Sequence, residues 1–286
     1  MANSSYYVPA TAKWPIVGSV GLFILMVGAA NWLNTNPTGP WLFALGGAIV
    51  IFMMFGWFAE VIRESEGGMY SSAVDASFRQ GMIWFIFSEV MFFAAFFGAL
   101  FYARMFAIPW IGGEGTGAAT NEILYPGFEA TWPTHGPGQL GGDFQTIPGF
   151  GLPLVNTLIL LTSGVTITLA HWALKYAKRA QLIFWMVATI LLACIFLFIQ
   201  GYEYVHAYQD LGLTLGSGIY GSTFFMLTGF HGLHVIVGTL MLIVITIRCA
   251  VGHFSKKNHF GFEAAAWYWH FVDVVWLGLF LFVYVI

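Results

Sequence analysis

The chain has 286 residues, of which 59% are hydrophobic and only 8% are charged, and its formal net charge at pH 7 is −3. A soluble domain carries roughly a quarter charged residues, so this chain lacks the side chains needed to cover a surface in water. The composition therefore excludes a soluble globular protein. Without a basic tract it also excludes a nucleic-acid partner, and it indicates an integral membrane protein.

Seven apolar segments are long enough to cross the hydrocarbon core as helices, which takes about 20 residues each. In chain order they are predicted at 15–34, 41–62, 80–108, 151–174, 182–206, 219–248 and 264–286. Segments such as IFWMVATILLACIFLFI do not alternate between apolar and polar residues, as the strands of a membrane barrel do. The chain is therefore predicted to be an all-α membrane protein with seven transmembrane helices. Cleavage of the first segment as a secretory signal is an alternative, although its charged region is the single residue Lys13.

The distribution of basic residues predicts the orientation of these helices. With the N-terminus in the cytoplasm, every Lys and Arg except Arg104 falls on the cytoplasmic side. The positive-inside rule therefore places the N-terminus inside and the C-terminus outside. Residues 1–14 then form a cytoplasmic segment, and 63–79 form an inner loop between the second and third helices.

The connection 109–150 is the one long loop, and it lies on the outer side in this orientation. It is rich in Gly and Pro and shows no helical period. The aromatic residues Phe128, Trp132 and Phe144 indicate an ordered cap or a docking loop, because a flexible linker has no use for them.

Glu89, in FIFSEVMFF, lies about ten residues into the third helix and therefore near the middle of the bilayer. An ionisable side chain there costs at least about 2.5 kcal/mol on insertion scales and requires a partner. Two interpretations remain open: a carboxyl group that handles protons, or a neutral acid that is hydrogen-bonded to another helix.

His231 and His234, in FHGLH, are three residues apart and therefore share a helix face. Two such histidines could ligate a metal, but a complete site needs further ligands, and a haem needs histidines at matching depth on facing helices. No histidine of another helix can be placed from the sequence at the matching depth that a second haem ligand requires. Glu203 and His206 form half of a di-iron signature without a second copy, so they are predicted to contact the surface or lipid headgroups.

The last helix carries His270 and Asp273 three residues apart, which predicts a hydrogen-bonded pair on one helix face. Trp267, Tyr268 and Trp269 are predicted to form an aromatic belt at the inner membrane surface. A proton-coupled transporter that uses Glu89 and Asp273 is a rival interpretation. It would show helices interrupted by Gly or Pro in corresponding halves, and the long intact segments argue against it.

Several long motifs carry a family resemblance. They are VIRES, FIFSEVMFFAAFF, LPLVNTLILLTSGVTITLAH, GSTFFMLTGFHGLHVIVGT and GFEAAAWYWHFVDVVWL. From about residue 14 to the C-terminus the chain resembles subunit III of haem–copper cytochrome c oxidase. The related quinol oxidase subunit typically lacks the first two helices, so seven spans favour the cytochrome c branch. Two departures are His171–Trp172, where many members have adjacent histidines, and the absence of the family's HTP after the second helix.

The resemblance implies a chain with no catalytic residue, no metal and no haem, because haem and copper reside in subunits I and II. The chain would pack mainly on subunit I and also meet subunit II, as part of a complex that pumps protons and reduces oxygen to water. Helices one and two would stand apart from a bundle of helices three to seven, across a cleft that holds structural phospholipids. The implied lipid-binding residues are Trp57, Arg63, Glu64 and Arg248.

The resemblance also implies a role in sustaining turnover and in supporting proton uptake by the complex. We expect a buried polar cluster in the membrane, in which His231 or His234 bonds Glu89; its members are Glu89, His231, His234, His270 and Asp273. The outer loop would meet cytochrome c or small accessory subunits. The expected location is an energy-transducing membrane, with the bacterial inner membrane as the specific expectation.

Overall fold

The computed structural model describes residues 6–9 and 11–286. Residues 1–5 and 10, which belong to the predicted cytoplasmic segment 1–14, lie outside the described residues. All regular secondary structure in the described part is helical. Seven helices there are long and apolar enough to span a membrane: α1 (Trp14–Leu33), α2 (Gly39–Glu66), α3 (Ser72–Ile111), α4 (Leu152–Lys175), α5 (Arg179–Gln209), α6 (Gly218–Val251) and α7 (Phe260–Val285).

The predicted set of seven helices is confirmed, but several helices extend beyond the predicted apolar segments. The inner loop was expected at 63–79, whereas the structure leaves only residues 67–71 between α2 and α3. The first turns of α3 are polar, and Arg79 Nε donates to Asp75 Oδ2 at 2.8 Å, one turn away. Charged residues can extend a helix beyond its apolar segment. Oppositely charged side chains one turn apart, such as Asp75 and Arg79, stabilise the added turns.

The loop 109–150, which was predicted on the outer side and shows no helical period in sequence, is ordered in the structure. It includes a short helix at Ala118–Leu124. Asn121 Nδ2 donates to the carbonyl oxygens of Ile111 at 3.0 Å and Phe128 at 3.1 Å. The loop also contacts α6, where the ring of Phe144 stacks on Tyr220 at 5.4 Å. These contacts hold the loop in place. The amide group of Asn121 bonds backbone carbonyl groups that are distant in sequence, and a search for helical periodicity does not detect such bonds.

The chain divides into two compact units, Met1–Gln80 and Gly81–Ile286. In the first unit α1 and α2 form an antiparallel hairpin that packs through glycines. A Cβ atom at Gly28 would overlap the backbone of Phe43, and one at Gly46 would overlap the backbone of Leu25. The two helices therefore approach at backbone distance, which small residues permit in a membrane.

The second unit packs α4 to α7 around large aromatic side chains. Trp269 and Trp276 of α7 are almost fully buried. Their indole N–H groups donate to Ser163 Oγ and to Thr157 Oγ1 of α4, both at 2.9 Å. Tyr268 and Trp269, which were predicted to belong to an interfacial belt, are buried in the bundle. The Trp269 indole turns inward because α4 offers it a hydroxyl partner, which removes the need for a polar headgroup.

Candidate functional site

Glu89 of α3 and His234 of α6 form the polar contact that the sequence analysis sought. Glu89 Oε2 and His234 Nε2 are 3.0 Å apart. The other ring nitrogen, Nδ1, lies 2.6 Å from the carbonyl oxygen of Phe230. A carbonyl oxygen only accepts, so Nδ1 carries a proton, and a single further proton is shared between Nε2 and Glu89. The pair therefore has no net charge, whichever of the two atoms holds that proton.

Aromatic rings surround the imidazole of His234. The ring of Phe93 is 5.0 Å away and that of Phe92 is 6.0 Å away. The ring of Tyr268 stacks on the other side at 6.3 Å. An apolar environment of this kind disfavours an isolated charge, which explains why Glu89 and His234 are found together.

His231 lies in a separate environment, although it shares a helix with His234. It is buried, and its Nε2 donates to the carbonyl oxygen of Val272 at 3.1 Å. Its ring contacts Phe196 and Trp276, with centroids at 5.9 Å and 5.0 Å. Of the two histidines that were expected to bond Glu89, the structure therefore selects His234.

His270 and Asp273 face one another on α7, but they are farther apart than the predicted hydrogen bond allows. Asp273 is buried, and its Oδ2 lies 3.7 Å from Nδ1 of His270. The opposite ring nitrogen of His270 lies 3.3 Å from Thr168 Oγ1. The five residues expected to form one buried polar cluster thus divide into three local groups, and His231 Nδ1 and Asp273 Oδ1 are buried without a hydrogen-bond partner among the described residues.

Glu203 was predicted to contact the surface or lipid headgroups, and this prediction is wrong. Glu203 is buried, and the hydroxyl group of Tyr284 donates to its Oε1 at 2.5 Å. His206 instead lies beside Asp210, with Nδ1 and Oδ2 at 2.7 Å. Tyr284 belongs to α7, far away in sequence, so local spacing could not reveal a partner for Glu203.

An open groove of about 540 Å³ lies in the first unit, where two of the expected lipid-binding residues are found. Arg63 and Glu64 line it, together with Lys13 and Trp14. Trp57 is exposed on the same helix. Arg248 belongs to the second unit, where its guanidinium lies 4.4 Å from the ring centroid of Phe254.

Two tyrosine hydroxyl groups converge on Glu64 in this groove. Tyr7 Oη donates at 2.9 Å to one carboxylate oxygen, and Tyr70 Oη donates at 2.7 Å to the other. Burial, followed by the hydrogen bond to Glu64, raises the pKa of Tyr70 well above its ordinary value. The hydrogen bond to Glu64 is the main cause of the raised pKa of Tyr7. Both hydroxyl groups therefore remain protonated donors near neutral pH, and they hold the carboxylate of Glu64 in position.

A group of two histidines and a glutamate in the second unit was missed by the sequence analysis. His171 Nε2 lies 3.5 Å from Glu263 Oε1, and His259 Nε2 lies 3.2 Å from the same oxygen. The three ligand atoms lie within 4.8 Å of one another. One signal was present in the sequence, because His259 and Glu263 are four residues apart at the start of α7 and therefore share a helix face. Only the fold brings His171 of α4 to them.

Comparison with known proteins places this architecture in a family. Residues 4–286 match the family described as cytochrome c oxidase subunit III. The chain is 44% identical over 281 residues to cytochrome c oxidase subunit 3 of Triticum aestivum, covering 98% of this chain and 96% of that protein. It is 42% identical over 280 residues to the protein of the same description from Marchantia polymorpha, with coverage of 98% and 95%. The corresponding protein of Gadus morhua is 41% identical over 281 residues, with coverage of 98% and 96%.

Proposed function

Because the chain belongs to the cytochrome c oxidase subunit III family and is a subunit of that oxidase, we propose that it is a non-catalytic accessory subunit. In this proposal subunits I and II carry the haem and copper, and the complex reduces oxygen to water and pumps protons. This chain packs mainly on subunit I, also meets subunit II, and sustains turnover by holding phospholipids. It supports proton uptake by the complex without conducting protons itself.

The observation that carries the non-catalytic role is the use of both ring nitrogens of His234. Nδ1 donates to Phe230 and Nε2 bonds Glu89. A metal ligand needs a ring nitrogen with a free lone pair, so these two contacts compete directly with ligation. His231 commits its Nε2 to the backbone of α7, whereas its buried Nδ1 has no hydrogen-bond partner among the described residues. These bonds favour a packing role for FHGLH over the rival interpretation of a bis-histidine haem protein.

The full chain, purified alone, tests this role by its optical spectrum. We expect no Soret band, because the two most ligand-like histidines are engaged in hydrogen bonds. A Soret band would overturn the proposal. Stoichiometric redox-active copper that persists after the substitution His259→Gln would also overturn it, since that substitution removes a ligand from the His171–His259–Glu263 group.

The groove of the first unit supports the proposal that the chain holds phospholipids. Arg63 and Lys13 bring positive charge to it, which suits the phosphate of a headgroup. The ring of Trp14 lies beneath the Lys13 ammonium, at 5.0 Å from its centroid. We propose that Arg63 and Lys13 contact the phosphate, that Glu64 completes the headgroup site, and that exposed Trp57 lies along the acyl chains. Arg248 serves as a second headgroup contact in the proposal.

Glu89 has a structural role in this proposal. A pair that shares one proton and has no net charge stabilises α3 against α6 without having to release a proton. The substitution Glu89→Gln preserves shape and an N–H donor toward Nε2 of His234. We expect the assembled complex with this substitution to pump the same number of protons per electron as the wild type.

A matched control for this substitution is Ser88→Ala. Ser88 is the exposed neighbour of Glu89, and its hydroxyl group bonds only the carbonyl oxygen of Phe85 on its own helix. Complexes with either substitution should assemble fully, as judged by subunit stoichiometry. Loss of pumping in a fully assembled Glu89→Gln complex, with normal pumping in Ser88→Ala, would show that Glu89 itself handles protons.

The seven apolar helices and the oxidase relatives make the chain a multi-pass membrane protein. We propose that its membrane is energy-transducing, with the N-terminus inside and the C-terminus outside. The narrower expectation of a bacterial inner membrane receives no support from relatives found in plants and fish. Contact of the 109–150 loop with cytochrome c or a small accessory subunit, and the lipid-holding cleft, remain predictions.

A further inference from the structure

Three side chains from separate segments meet where α4 ends and α7 begins. His171 lies in the last turns of α4, His259 immediately precedes α7, and Glu263 is in the first turn of α7. His259 is buried, and the side chains of His171 and Glu263 are 20% and 13% exposed. This group has no role in the proposed function.

The hydrogen bonding of His259 makes its contact with Glu263 unfavourable. Its Nδ1 lies 3.0 Å from the carbonyl oxygen of Ser255, which can only accept, so Nδ1 carries the proton. The neutral ring then presents the bare lone pair of Nε2 to Glu263 Oε1 at 3.2 Å. Nε2 is buried and makes no hydrogen bond within the described part of the chain. Two acceptors at this distance repel one another unless a proton or a cation lies between them.

His171 brings a second ring nitrogen to the same carboxylate. Its Nε2 is buried, makes no hydrogen bond to any described residue, and lies 3.5 Å from the same carboxylate oxygen. A proton can bridge only one of these two contacts at a time. A metal ion satisfies all three atoms together, because it accepts a lone pair from each of them.

Two of the three ligand-atom separations fit such an ion, and the third is no longer than 4.8 Å. A tetrahedral zinc site with Zn–N bonds of about 2.0–2.1 Å has ligand atoms about 3.3 Å apart. The two measured separations, 3.2 Å and 3.5 Å, bracket that value. The hydrogen bond from Nδ1 of His259 to Ser255 is the outer contact that orients a ligating histidine in metal sites.

We propose that His171 Nε2, His259 Nε2 and a carboxylate oxygen of Glu263 bind a divalent cation of the zinc type. With three protein ligands, the fourth position of a tetrahedral ion is left to water. Two imidazoles and one carboxylate select zinc over calcium or magnesium, which prefer oxygen ligands. The ion would tie the connection between α6 and α7 to the end of α4.

The full chain, purified in detergent and stripped with a chelator, tests the site by titration with Co²⁺. Tetrahedral Co²⁺ gives intense visible d–d bands, and Zn²⁺ should displace them with a stoichiometry of one. We expect His259→Gln and Glu263→Gln each to weaken binding by at least about tenfold, because each removes a ligand. The control is His206→Gln, since His206 also lies beside a carboxylate, that of Asp210, but has no third ligand in the described part of the chain. No saturable binding by the wild type, or unchanged binding by both ligand variants, would overturn the proposal.

A second measurement needs no substitution and therefore does not depend on how the variants fold. The wild-type complex is treated with diethylpyrocarbonate, a histidine-modifying reagent, with and without Zn²⁺, and modified peptides are counted by mass spectrometry. We expect Zn²⁺ to protect His171 and His259 at least tenfold more than His206. Equal modification of His171 and His259 with and without Zn²⁺ would overturn the proposal.

Discussion

The two compact units solve the problem of helix association in different ways. In the first unit, α1 and α2 meet through glycines at backbone distance. In the second, indole rings of α7 bury themselves against α4 and donate hydrogen bonds to its hydroxyl groups. Lipid tails are as apolar as leucine, so packing and hydrogen bonds decide which helices associate. The first unit relies mainly on close packing, and the second adds hydrogen bonds between helices.

The units also differ in how much apolar surface the chain itself covers. In the most apolar window of α2, 6% of residues are buried, compared with 44% in α4 and in α7. The first unit gathers its charged groups around the groove at Glu64 and Arg63, whereas the second places Glu89, Glu203 and Asp273 against internal partners. The hairpin therefore leaves most of its apolar length to be covered by lipid or by another protein. The bundle around α4 and α7 completes more of its contacts internally.

The largest expected effect is in the hairpin, where Gly46→Ala tests the backbone contact. The new Cβ would overlap the backbone of Leu25, which cannot move as a side chain can. We expect the free energy of unfolding to fall by about 1–3 kcal/mol, as in other overpacked contacts. The measurement is reversible unfolding in mixed micelles. Gly47→Ala is the matched control, because its Cβ would have only Leu25 Cδ1 nearby, at 3.9 Å, and should change stability by less than about 0.5 kcal/mol. Equal effects of the two substitutions would contradict close backbone packing.

The next effect is in the bundle, where Ser163→Ala removes the acceptor of the Trp269 indole. A buried N–H group left without a partner costs about 1–3 kcal/mol, and we expect the lower half of that range because the indole can shift. Thr162→Ala is the control, since its exposed hydroxyl group bonds only Leu158 within α4. Unfolding of both variants in micelles provides the measurement. If Ser163→Ala is as stable as Thr162→Ala, the hydrogen bond does not hold α7 to α4.

The smallest effect on stability is expected for Arg63→Gln, which tests what occupies the groove of the hairpin. Arg63 is exposed, so its loss should change the free energy of unfolding by less than about 0.5 kcal/mol. We expect the purified complex to lose tightly bound phospholipid, counted by native mass spectrometry, and to inactivate faster during turnover. Arg79→Gln, which breaks the pair with Asp75 on the exposed start of α3, is the control. Unchanged lipid content and lifetime in Arg63→Gln would remove the support for a headgroup site.

The polar residues of the membrane show where sequence reasoning succeeded and where it stopped. The cost of an ionisable group in hydrocarbon required a partner for Glu89, and a histidine of FHGLH is that partner. The choice between His231 and His234 could not be made, because residues three apart lie on nearly the same helix face. The rotation of α6 against α3 and α7 makes that choice, and it turns His231 toward the backbone of α7.

The membrane class, the seven helices and the family resemblance could be predicted from the sequence, because they follow from the length of the apolar segments and from long motifs. The pairs Glu203–Tyr284 and His234–Glu89, and the approach of His171 to His259 and Glu263, emerge only from the fold. Each of these contacts joins residues from distant parts of the chain. Their distances depend on how the helices rotate and cross, and the chain encodes those angles in the packing of many side chains together.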